Sequence, residues 1–227
     1  MNIPFHDRSD AGRQLASRLS HYANRTDLLV LALPRGGVPV AFEVARAIHA
    51  PLDLFIVRKV GVPGHEELAM GAIASGGVQV VNEEITRRLR IQPDLFNRMA
   101  EQELQELKRR ELAYRGQRPA PDTAGRTIIL VDDGIATGST MKAAISALRK
   151  QSPERILVGT PVIAADTFEE MLPLVDELVA VITPEFFSAV GQWYEHFPQT
   201  GDDEVKTLLK QARVEFRKDK PGGLKPG

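Results

Sequence analysis

The residues Asp132-Asp133-Gly134-Ile135-Ala136-Thr137-Gly138-Ser139-Thr140 combine two adjacent carboxylates with a hydroxyl-rich turn. They stand between the apolar run Thr127 to Val131 and the helix-like stretch Met141 to Lys150. A strand therefore delivers two acids, a turn follows, and a helix begins. Such an arrangement can hold a phosphorylated sugar from both ends: N–H groups and hydroxyls at the helix N-terminus take the phosphate, and the carboxylates accept from sugar hydroxyls. The same residues also suit a plain strand-to-helix turn with a Gly, Ser or Thr cap and two solvated acids. A Walker A loop does not fit, because Gly134 and Gly138 are one residue too close and Ser139 stands where that loop needs Lys. No Gly-x-Gly-x-x-Gly follows the early strand either.

Three further groups of residues carry potential chemistry. In Leu33-Pro34-Arg35-Gly36-Gly37 the paired glycines let backbone amides approach an anion with no Cβ in the way, and Arg35 can add charge. An ordinary tight turn before a helix would read the same. The segment Val57 to Leu68 holds Arg58 and Lys59 ahead of Gly61, Pro63, Gly64, His65, Glu66 and Glu67. Its basic pair suits an anion or plain solvation, and His65, Glu66 and Glu67 are candidates for proton transfer or are solvated loop residues. Near the C-terminus Phe186, Phe187, Trp193, Tyr194 and Phe197 cluster, suited either to stacking on a heterocycle or to core packing.

The segment Ile128 to Met141 resembles the phosphoribosyl-diphosphate (PRPP) binding motif of type I phosphoribosyltransferases. The resemblance implies an α/β fold built on a parallel sheet, with a flexible-loop hairpin and a C-terminal hood, to which this chain adds a helical insertion over about 83–118. It implies that Asp132 and Asp133 contact the ribose hydroxyls, and that Ala136, Thr137, Gly138, Ser139 and Thr140 wrap the 5′-phosphate. Arg35, Gly36 and Gly37, in a loop that often carries a cis peptide in this family, then face the pyrophosphate together with Lys59 from the next loop. Arg58 and Lys59 belong to the catalytic loop, with Glu67 as its candidate acid or base. The hood, at about 184–201, offers Trp193 and Tyr194 to the acceptor. The implied reaction moves the phosphoribosyl group from PRPP to a nitrogen acceptor such as a nucleobase. Mg²⁺ is the implied cofactor, carried mainly by PRPP oxygens rather than by a protein cage. A homodimer is the family expectation.

Two departures qualify that picture. Ala136 stands where hypoxanthine-type members place an Asp, so the loops are closer to adenine- and uracil-type members and the acceptor stays open. The stretch 83–118 is longer than expected between the hairpin and the motif strand. A non-catalytic PRPP or nucleotide sensor of the same fold is therefore the second reading. A basic face from Arg87, Arg88, Arg109, Arg110 and Arg115 would point toward nucleic-acid regulation.

Composition narrows the classes. The chain has 227 residues, a formal charge of −1 and no Cys, which removes disulfides, thiolate nucleophiles and Cys-ligated metals. Near-neutral charge makes nucleic acid an unfavoured partner. Acids sit where a signal peptide would need an apolar core, and no run approaches membrane-spanning length, so a cytoplasmic protein without membrane partners is expected.

The elements that must position these residues follow from periodicity. Apolar spacing predicts a helix over 10–22, strands over 28–33 and 52–57 and a helix over 38–50. A Gly- and Pro-bearing loop is expected over 58–69, then a hairpin from 70–74 and 78–81. In the insertion Phe96, Met99, Leu104, Leu107 and Tyr114 trace an apolar stripe on a charged helix that Pro93 begins. The stripe suits packing on the sheet, a lid or a dimer contact. Strands are expected over 127–131, 155–162 and 177–182, with a helix over 137–150 between the first two. Alternation of strand and helix argues for a parallel sheet covered on both faces. One domain over 1–212 and a tail over 213–227 complete the expectation.

Overall fold

The computed structural model describes residues 5–218, apart from the side chains of Glu66, Glu67, Arg217 and Lys218. Its centre is a five-stranded parallel sheet in the order β2-β1-β6-β7-β8. The strands are β1 Leu28–Ala32, β2 Leu52–Leu54, β6 Thr127–Val131, β7 Arg155–Val162 and β8 Glu177–Ile182. β1 and β6 are buried at every position, as a parallel strand covered on both faces requires. Alternate residues serve opposite layers. Leu28, Val30, Ile129 and Val131 pack with α1 (Arg8–Arg18) and α2 (Gly37–Ala47), whereas Leu29, Leu31, Ile128 and Leu130 pack with α5 (Ser139–Arg149) and α6 (Ala165–Met171).

A second sheet, antiparallel, contains β3 Val57–Val62, β4 His65–Ala74 and β5 Val78–Val81. Here the structure corrects two expectations. The strand read over 52–57 stops at Leu54, where Phe55 N–H still reaches the Ala32 carbonyl at 2.9 Å, and Val57 already pairs with Ala74 in the hairpin. The expected loop over 58–69 is paired strand up to Val62 and from His65, closing around Pro63 and Gly64. Register shifts between Val60, Gly61 and Val62 absorb the residues that look like breakers in the sequence.

The insertion forms α3 (Glu83–Arg88) and α4 (Pro93–Arg115), and α4 lies on the hairpin. Phe96, Ala100, Leu107 and Tyr114 are buried beneath it, so the apolar stripe is a packing face. Gly71 makes the contact close: a Cβ there would stand 2.6 Å from Phe96 Cε2. Arg115 ends the helix with its side chain only 1% exposed, bound to Asp53 at 2.7 Å and Glu111 at 2.6 Å and donating to the Leu54 carbonyl. It therefore belongs to no basic face, and Arg109 and Arg110 both pair with Glu106.

The final helix, α7, spans Asp202–Lys218. It runs through position 213, where the sequence places the start of a tail, because Val205 and Leu209 seat it against α2. Residues 184–201 fold over the edge of the sheet and are tied to the N-terminal segment, with Phe5 N–H donating to the Trp193 carbonyl at 3.3 Å and Glu195 N–H to the Phe5 carbonyl at 2.9 Å.

Candidate active site

β1 and β6 are neighbours, yet the chain leaves them toward opposite edges of the sheet, and such a switch point opens a crevice beyond the strand ends. Two loops meet there. The first, after β1, contains a cis peptide between Pro34 and Arg35. A Cβ on Gly36 would lie 2.1 Å from Asp133 Oδ2, and one on Gly37 would lie 2.7 Å from the Val131 carbonyl oxygen. Glycine at both positions lets the two loops interlock.

The second loop, Asp132 to Gly138, leads into α5. Gly138 holds φ +68° at the helix N-cap, a conformation that suits glycine, and no side chain caps the helix. The Ser139 N–H meets the Thr137 hydroxyl at 3.5 Å, and the N–H groups of this first turn point out of the helix toward the cavity, an end suited to an anion. Thr167 on α6 braces the turn by donating its hydroxyl to the Ala136 carbonyl. A cavity of about 180 Å³ opens over this turn, lined by Ala136 through Thr140, Asp132, Gly134, Ile135, Lys59 and Val190. A larger groove of about 400 Å³ shares Lys59, Thr137 and Ser139 with it and runs between the hairpin and α5 past Asn82 and Ser146.

The acid pair divides. Asp132 faces the cavity, and its Oδ1 accepts from the Asp133 N–H at 2.9 Å. Burial, then the charge of Asp133, pushes its carboxyl well above the ordinary aspartate range, while the Arg8 guanidinium pulls the other way. The Asp133 side chain is not among the lining groups. Its Oδ2 accepts from Arg8 Nε at 2.8 Å, and its main-chain carbonyl accepts from the Tyr194 hydroxyl. Arg8 also donates Nη1 to the Pro198 carbonyl at 2.6 Å and lies 3.8 Å from the centre of the Phe197 ring.

Strand alternation separates the basic pair as well. Lys59 lines the cavity, whereas Arg58, one residue earlier on β3, turns to Glu103 of α4 at 2.6 Å. The Arg35 side chain points to Asp202 at the start of α7 at 3.4 Å, so the backbone and glycines of its loop, not its guanidinium, face Asp133. Tyr194 is buried between Phe5 and Phe197, with ring centres at 5.3 Å and 4.8 Å, which leaves no free face for a heterocycle. Burial and the nearby Asp133 charge raise its hydroxyl pKa. Trp193 packs beside Phe187, and its buried Nε1 has no partner among the described residues. Val190, which motif reading did not single out, is the residue of the 184–201 segment that reaches the cavity. His65 is exposed at the start of β4, and the Glu66 and Glu67 side chains lie outside the described residues. Arg8 had no signal in the sequence beyond its place at a helix start.

Comparison with known proteins places the chain in a family. The family model described as "Phosphoribosyl transferase domain" matches residues 5–174. A protein of Mycobacterium tuberculosis named "Putative phosphoribosyl transferase Rv0571c" is 44% identical over 212 residues, covering 93% of this chain and 48% of that protein. This chain thus spans about half the length of the curated relatives it matches. The crystal structure of TT1426 from Thermus thermophilus superposes with a TM-score of 0.83 at 38% identity, covering 92% of this chain and 99% of that one. The match to the family model over residues 5–174, most of its length, means that the chain belongs to the phosphoribosyl transferase family.

Proposed function

We propose that the protein transfers the 5-phosphoribosyl group of PRPP to a nitrogen acceptor with release of pyrophosphate. The observation that carries this reading is the convergence of the uncapped α5 N-terminus, Asp132 and Lys59 on one cavity at the ends of β1 and β6. The 5′-phosphate takes the N–H groups and hydroxyls of Thr137 to Thr140, and Asp132 accepts from a ribose hydroxyl. Held at both ends, the sugar presents C1 in a defined place. The acceptor nitrogen donates its lone pair to C1, the C1–O bond breaks with its electrons leaving on pyrophosphate, and the acceptor gives up a proton. Lys59 and the Gly36 amide stabilise the departing charge. Ile135 and Val190 supply an apolar surface for a flat acceptor.

Mg²⁺ fits the site as a companion of the substrate. Among the described residues no three His, Asp or Glu side chains converge as a cage, and a pyrophosphate supplies the oxygens that this ion favours. When bound it would neutralise leaving-group charge. No helix among the described residues is long and apolar enough to cross a membrane. A homodimer remains part of the proposal, carried by the family resemblance.

A second reading, a non-catalytic PRPP sensor, draws support from Arg58 and Asp133 being engaged by Glu103 and Arg8. One experiment separates the two: PRPP with Mg²⁺ is added to a melting assay, then nucleobases and other amines are screened for pyrophosphate release. Saturating PRPP at one hundred times Kd should stabilise the fold by about 2.7 kcal/mol. Absence of any melting shift removes the PRPP reading. A shift with no pyrophosphate release from any acceptor favours the sensor.

A further inference from the structure

Arg8 joins three parts of the molecule that are remote in sequence. It belongs to α1, pairs with Asp133 in the turn after β6, and meets Phe197 and Pro198 in the 184–201 segment. Its side chain is 11% exposed, and the ion pair at 2.8 Å sits where two consecutive carboxylates would otherwise repel each other. We propose that Arg8 is a positioning residue of the phosphoribosyl site: by holding the Asp133 carboxylate at Oδ2 it draws that acid away from Asp132, leaves Asp132 to accept a ribose hydroxyl in the cavity, and couples the pair to the segment over the crevice. The inference rests on the PRPP reading above.

The geometry supports this role over mere packing. Gly36 leaves room for the Asp133 carboxylate and nothing more, so the acid is confined on one side by the pyrophosphate loop and on the other by Arg8. A guanidinium can hold a carboxylate, a carbonyl and an aromatic face together, because its donors diverge in one plane and its face stacks. An ammonium cannot meet all three. The charge of Arg8 also reaches Asp132. The groups facing Asp132 are Asp133 beside it, Arg8 from α1, Lys59 from β3 and Tyr194 from the 184–201 segment. Removing Arg8 leaves the charge of Asp133 on Asp132 without the cation that opposes it, so Asp132 takes up a proton at higher pH.

The test uses the full chain with Arg8→Gln and Arg8→Lys. The Asp132 carboxyl is titrated by ¹³C NMR without ligand, and PRPP with Mg²⁺ is titrated calorimetrically from weakly acidic to weakly basic pH. In Arg8→Gln the Asp132 midpoint should rise, PRPP Kd at neutral pH should increase about tenfold, and the acid limb of binding should move to higher pH. Arg8→Lys should keep the acid limb near that of the wild type while binding PRPP more weakly. Should Arg8→Gln fail to fold, Arg8→Lys decides: wild-type affinity in that variant overturns the role. Wild-type affinity and an unmoved acid limb in a folded Arg8→Gln overturn it equally. If the wild type binds no PRPP, the transferase reading fails and the positioning role falls with it, while the NMR titration still shows whether Arg8 acts on the acid pair.

Discussion

Arg58 on β3 places two guanidinium nitrogens on Glu103 Oε2 of α4, Nε and Nη2 each at 2.6 Å, and so ties the candidate catalytic hairpin to the helical insertion. Both side chains are about three-quarters buried, and the neighbouring Lys59 projects from the other face into the cavity. The hairpin thus has a structural face and a chemical face.

Arg58→Ala and Glu103→Ala should each destabilise the fold by about 1 kcal/mol and share most of that loss in a double-mutant cycle. Chemical denaturation of the two single variants and the double variant measures the coupling. Lys59→Ala should leave stability near that of the wild type and reduce pyrophosphate release far more than Arg58→Ala does. Equal losses of turnover would mean that Arg58 leaves Glu103 during the reaction.

Asp132 should behave as a group retained for binding at a cost in stability. Its carboxyl holds a proton more readily in the folded protein than in the unfolded chain, because burial and the charge of Asp133 disfavour ionisation. The folded state is unpenalised below the ordinary aspartate range and loses stability as pH rises through the raised value. Asp132→Asn keeps an oxygen for the Asp133 N–H and carries no charge. It should melt higher than the wild type at neutral pH, with the gain vanishing in acid, and PRPP should no longer stabilise it. Melting curves over pH, with and without PRPP, read both effects.

The interlocked glycines give a third expectation. Gly36 has φ −58°, which alanine accepts, so Gly36→Ala acts through the Cβ that would stand 2.1 Å from Asp133 Oδ2. The acid must move, and PRPP affinity should fall by more than stability does. Gly138→Ala combines a left-handed backbone, costing about 1–2 kcal/mol in a residue with a Cβ, with approaches of 2.9 Å to Thr167 Cγ2 and 3.0 Å to Met171 Sδ. It should lower both Tm and phosphate affinity. Calorimetric PRPP titrations beside melting curves distinguish the two variants.

The arginines of α4 provide a contrast. Arg115→Ala removes a buried cation from Asp53 and Glu111 and should destabilise the protein by about 3–5 kcal/mol. Arg109→Ala, on the exposed side, should leave the denaturation midpoint unchanged. A comparable loss in both would mean that the Arg109–Glu106 pair holds the helix as firmly as the buried Arg115 does.

The sequence by itself determined what is local. The runs that became β1, β6, β7 and β8 are predominantly apolar stretches bounded by turn residues, so their existence and parallel pairing were legible, as was the motif Asp132 to Thr140, whose acids, glycine cap and helix start are consecutive. The 58–69 segment was not legible as strand, because Gly61, Pro63 and Gly64 look like breakers, whereas pairing with β4 absorbs Gly61 through a shifted register and leaves Pro63 and Gly64 as the turn. Without that pairing the alternation that sends Arg58 to Glu103 and Lys59 to the cavity had no frame. Tertiary structure alone decided that Asp132 faces the crevice while Asp133 turns to Arg8, a residue 125 positions away, and that Tyr194 is packed and Val190 reaches the cavity. Backbone propensity and hydrophobic period act over a few residues and leave their mark in sequence. The direction of a side chain depends on charges and volumes brought together by folding, which no spacing along the chain records.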